Sequence, residues 1–111
     1  MRIVGNPDST IQKVGIAFHI WGIPTDNNLI KWIEEKNINL LIVGETVDFT
    51  VNEYIQDSFQ CHKNISLLNI GHFNIEEPSM EYMLTYLPKL IHPSIPCYFV
   101  SSTDMYQYYT K

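Results

Sequence analysis

Long apolar runs are missing from this 111-residue chain, and so is any excess of positive charge. No stretch approaches the roughly 20 apolar residues that cross a bilayer, so no membrane span is expected. Seven Lys and Arg against twelve Asp and Glu leave a formal net charge of −5. Phosphate backbones need a basic face, and none is visible, which argues against nucleic acid as a partner. The five glycines are scattered, and none builds a glycine-rich phosphate cradle between a strand and a helix. Cysteine is scarce too: Cys61 and Cys97 lie far apart and outside any Cys-x-x-Cys pair. Reduced thiols and a cytoplasmic location are the expectation, with a Cys61–Cys97 disulfide left open. The segment Met1–Pro7 has no signal-peptide core.

What is present is a globular composition, with 45% apolar and only 17% charged residues. The length suits one domain with its own core. Val14–Ile20, Ile38–Val43 and Ile65–Ile70 are apolar runs that read as buried strands, and Cys97–Val100 as a short fourth one. Between them come amphipathic stretches. Leu29, Ile30, Ile33 and Trp32 make one apolar helical face, with Thr25 or Asp26 as cap and Asn37 as stop. Val51, Tyr54, Ile55 and Phe59 make a second, capped by Asp48 or Thr50. Glu76-Glu77-Pro78 reads as a third helix start, followed by a stripe of Met80, Met83, Leu84 and Leu87. Strand–helix alternation predicts an α/β fold: a single three-layer α/β/α domain with a mostly parallel or mixed sheet.

Several ligand-type residues follow those strands. The first strand runs into His19, the second through Gly44 into Glu45, and the third through Gly71 into His72, with Glu76 four residues later. If the strands are parallel neighbours, His19, Glu45 and His72 emerge at the carboxyl edge, where open α/β sheets place their sites. Imidazole and carboxylate together suit a borderline divalent metal. Each residue also has an ordinary role open to it. Glu76 serves a helix dipole equally well, His72 a backbone carbonyl, His19 a half-buried packing position, and Glu45 an acidic helix flank. Asp104 beside Ser101, Ser102 and Thr103 closes a turn or joins the edge. His62 and His92 read as surface residues.

Gly5-Asn6-Pro7-Asp8-Ser9 with Lys13-Val14, then Val43-Gly44-Glu45, then Gly71-His72-Phe73-Asn74-Ile75-Glu76, then Thr103-Asp104 before an aromatic tail resemble one known family. They look like the carboxyl-terminal half of the Nif-three-like dinuclear-metal proteins, also labelled GTP cyclohydrolase type 2 homologues. The resemblance covers nearly all of residues 1–111, as a single half domain. It implies metal-ligand roles for His72 and Glu76 and a place near the metal for Glu45; His19 has no counterpart and rests on position alone. The implied cofactor is a divalent cation (zinc, iron or manganese), and the implied assembly a homo-oligomer, dimer or hexamer. Any activity would be that of a metal-dependent hydrolase on an unspecified small molecule. The chain departs from the family in lacking the His-His pair of the other half. That leaves two readings: a metal-binding protein with a partial site, or a non-catalytic interaction or regulatory module on the same fold.

Overall fold

Among the described residues, four strands hydrogen-bond into one sheet: β1 (Arg2–Gly5), β2 (Val14–Ile20), β3 (Leu40–Thr46) and β4 (Ser66–Asn69), in the order β1-β4-β3-β2. The structure is a computed structural model and describes residues 1–22, 24–92 and 94–103. The sheet and two helices, α1 (Thr25–Lys36) and α2 (Val51–Gln60), make a first unit, Met1–Gly71. A second unit begins at His72 and contains α3 (His72–Met83) and α4 (Leu87–Ile91). The class is α/β with a mixed sheet, as the alternation predicts. β2 and β4 each run parallel to β3, while β1 is antiparallel to β4.

Strand alternation assigns each residue of the sheet to a face. Gly15, Leu41, Leu67 and Val4 share one row, and Ala17, Val43 and Asn69 the next. The helices cover this face. A Cβ on Gly15 would lie 2.9 Å from Ile38 and 3.0 Å from Trp32 of α1. Ile33, Leu41, Val43, Val51, Ile55 and Leu67 form the centre of the core beneath them. The opposite face carries another apolar row: Ile16, Ile42, Leu68 and Ile3 are paired in register across all four strands.

Local chemistry accounts for the helix ends. Asn37 takes the left-handed conformation, φ 52°, and its N–H bonds back to the Glu34 carbonyl, so α1 stops where the sequence predicts. Thr50 occupies the N-cap of α2 and donates its own N–H to Glu53 Oε2 at 3.3 Å. The cap position of α1 is Pro24 rather than Thr25 or Asp26. Asp26 is instead inside the first turn and buried, accepting from the Gly22 N–H at 3.1 Å and from the Thr50 hydroxyl. Asn39 ties the approach to β2 onto β3: its Oδ1 accepts from Gln12 and Lys13 N–H at 2.9 and 2.8 Å. Phe59, expected in the core, is exposed, and Ser58 takes the buried place on α2.

Two further expectations fail. The third helix starts at His72, not at Glu76, and Pro78 lies inside it. Gly71 explains the early start: at φ +96° it turns the chain straight out of the strand, a conformation glycine adopts without penalty. Cys97–Val100 belongs to no strand, and the fourth strand is β1 instead. Four residues ahead of an Asn-Pro turn carry too little periodicity to announce a strand; pairing with β4 makes one.

Candidate functional site

β2 and β3 deliver His19 and Glu45 as direct register partners. Neighbouring strands lie about 4.8 Å apart, so two such residues on one face have side chains that meet. His19 Nδ1 lies 3.8 Å from Glu45 Oε2. The imidazole is mostly covered, at 18% side-chain exposure, whereas the carboxylate is half open to solvent. Aromatic rings hold the imidazole in place. Trp21 stacks on it at 4.9 Å between centroids and 22° between planes, and Phe18 sits at 5.2 Å, tilted. The pair stands at the carboxyl end of two parallel strands, one step past the Ala17–Val43 row.

His72 and Glu76 are brought together within the second unit, one turn apart on α3, with Nε2 3.0 Å from Oε2. Both are nearly half exposed. Because His72 is the first residue of the helix, the pair has ordinary i,i+4 helical geometry and not that of a loop-to-helix corner. A solvated pair of this kind contributes only about 0.3–0.5 kcal/mol to stability.

The two pairs suit metal by donor chemistry. Each offers one imidazole nitrogen and one carboxylate oxygen, and metal–ligand bonds near 2.0–2.2 Å place two donors on one ion about 3–3.5 Å apart. The observed separations, 3.8 and 3.0 Å, are within a few tenths of an ångström of that range. A pair by itself is half a tetrahedral set.

The remaining candidates separate. His62 and His92 are exposed, and His92 Nδ1 accepts the Ser94 N–H at 3.3 Å. Cys61 and Cys97 are free thiols. Asp104 lies outside the described residues.

Three polar residues near these elements make contacts that the sequence does not announce. Asn69 is buried in β4; its Oδ1 accepts from Gly71 N–H at 3.1 Å, and its Nδ2 has no hydrogen-bond partner among the described residues. A lone amide in the run Leu67-Leu68-Asn69-Ile70 is the signal that could have found it. Glu77 accepts from Ser101 Oγ and from the Ser102 N–H, anchoring that segment in the second unit. Thr50 holds φ 56° while its hydroxyl reaches Asp26, a combination no local pattern encodes. The second unit also holds a cavity of about 380 Å³ among Phe73, Met80, Met83, Leu87 and Phe99, so the methionine stripe lines a hollow.

No family model matches this sequence, and no curated protein or solved structure matches it either.

Proposed function

We propose that this protein binds divalent cations, zinc, iron or manganese, at two pairs taken separately: His19 with Glu45 on the sheet, and His72 with Glu76 on α3. The observation carrying the proposal is the register pairing of His19 with Glu45 at the carboxyl end of two parallel strands, where the imidazole is aromatic-clamped. The Gly71-His72-x-x-x-Glu76 resemblance to the Nif-three-like family supports it from the sequence side. Glu45, half exposed, is placed to accept a proton from an approaching group. A bound ion of this kind supplies Lewis acidity and an acidified water, the chemistry of metal-dependent hydrolysis.

The test is elemental analysis of protein purified without tag or chelator, alongside calorimetric titration with zinc, manganese and ferrous ion. His19→Ala, Glu45→Gln, His72→Ala and Glu76→Gln are each expected to lower metal content while leaving the circular dichroism unchanged. Unaltered metal content in all four variants would sink the assignment. So would no uptake of any of the three ions by the unmodified chain.

A second reading, an interaction module, has its own observation. Val14, Ile16 and Phe18 leave an apolar strip exposed on β2.

A further inference from the structure

We propose that β2 is a self-association edge: two copies join β2 to β2, antiparallel about a two-fold axis at Ala17, so that one sheet continues into the next. The inference rests on the interaction reading and names its partner as a second copy of this chain. It is independent of metal.

The two edges of the sheet differ in a way that needs a cause. β1 is four residues long, carries Arg2, and is cut off by Gly5-Asn6-Pro7. Short length, a charge and a nearby proline are the usual devices that keep an edge from pairing. β2 has none of them. It is seven residues long, Val-Gly-Ile-Ala-Phe-His-Ile, with no Lys, Arg, Asp, Glu or Pro. It contains no bulge either, because its register with β3 keeps one constant offset from Val14↔Leu40 to Ile20↔Thr46. Among the described residues no strand pairs with its outer side, and an edge of this length presents a row of backbone donors and acceptors to another strand.

The sequence of β2 is close to symmetric about its centre, which is what an isologous two-fold contact requires. Antiparallel pairing centred on Ala17 sets Val14 opposite Ile20 of the second copy and Ile16 opposite Phe18. On the other face Gly15 meets His19, and Ala17 meets Ala17. Every pair on the first face is apolar, and no like charges face each other across the join. Val14, Ile16 and Phe18 are 47%, 67% and 48% exposed in the single chain, whereas Ile20 is already buried at 2%, so the Ile16–Phe18 pairs supply the new apolar contact. Pairing would carry the Ile3–Leu68–Ile42–Ile16 row onto Phe18 of the second copy. A one-residue slip would set apolar side chains opposite Gly15, Ala17 or His19, so the symmetric register is the favoured one.

The experiment is sedimentation equilibrium and light scattering of the full chain across a wide concentration range. A reversible dimer is expected, and Ile16→Lys is expected to raise its dissociation constant at least about tenfold, or 1.4 kcal/mol. Ile16 is mostly exposed, so the substitution leaves the protomer folded, and circular dichroism checks this. Leu90→Lys, at a residue 73% exposed on α4, is the control and is expected to leave the dimer intact. Register is read separately. Facing Cβ atoms in an antiparallel pair are about 4.5–5.5 Å apart. With Cys61 and Cys97 replaced by serine, Ala17→Cys should therefore give a disulfide-linked dimer under mild oxidation. A monomer at every concentration overturns the inference. A dimer indifferent to Ile16→Lys with no Ala17→Cys cross-link overturns it equally.

Discussion

Replacing Asp26 probes whether the first unit depends on a polar contact inside its core. The carboxylate is 1% exposed, accepts from the Gly22 N–H at 3.1 Å, and receives the Thr50 hydroxyl from the N-cap of α2. Asp26→Ala leaves the buried Gly22 N–H without its acceptor, a cost of about 1–3 kcal/mol. The Thr50 hydroxyl loses less, because the Phe49 carbonyl, 2.8 Å away, is an alternative acceptor. Removing an acidic group from the first turn of α1 costs a further ~0.3–1 kcal/mol through the helix dipole. Relief from burying a charge offsets part of the sum, so the expected loss is about 2–3 kcal/mol. Asp26→Asn keeps the volume and one acceptor oxygen and should lose only about 1 kcal/mol. Urea denaturation followed by circular dichroism reads both, as a lowered midpoint at unchanged slope. Two results would refute the reasoning: Asp26→Ala within about 0.5 kcal/mol of the unmodified chain, the scatter of ordinary surface changes, or the two variants equally destabilised.

Two further outcomes are expected. Gly5→Ala should destabilise by about 3 kcal/mol or more, because the new Cβ would lie 2.6 Å from the Ile65 carbonyl oxygen at φ +89°; a melting temperature within a degree or two of the unmodified protein's (~1–2 °C) would contradict this. Tyr54 should titrate above the ordinary tyrosine value near 10 in an ultraviolet alkaline titration. Burial pushes its phenol up, and the Glu34 carboxylate that accepts its O–H at 3.1 Å adds to the effect, against an opposing hydrogen bond with Ser58. The folded pKa is raised, so this contribution to stability is complete below the ordinary value near 10 and disappears as pH climbs through the folded one. Tyr54→Phe should remove that alkaline fall, and a Tyr54→Phe profile identical to the parent's would count against it.

Much of the fold is legible because its signals are local. Val14–Ile20 is apolar apart from His19 and is a strand with those bounds. Asn37 and Thr50 sit where left-handed and capping chemistry stop and start helices. β1 is illegible for the opposite reason: Arg2–Gly5 becomes a strand only because Ser66–Asn69 is there to pair with it. Pro78 hides the true start of α3, since proline ordinarily marks a first turn, and here the helix begins six residues before it. For the candidate site, residue types and strand ends locate His19 and Glu45, but their pairing depends on which strands are neighbours, a property of topology. Asp26 reads as an ordinary capping acid, since its burial arises from Thr50, which is 24 residues away.

The antiparallel placement of β1 has a kinetic consequence. Arg2 pairs with Asn69 and Gly5 with Ser66, so the strand leaves the ribosome more than sixty residues ahead of its partner. At about 5–20 residues per second, β1 waits roughly 3–13 s during synthesis before the sheet can close. β2, α1 and β3 lie within one short stretch and can assemble in that interval. Closure of the first unit is therefore a late event, and the long loop it closes should make refolding slower than in a helical protein of equal length.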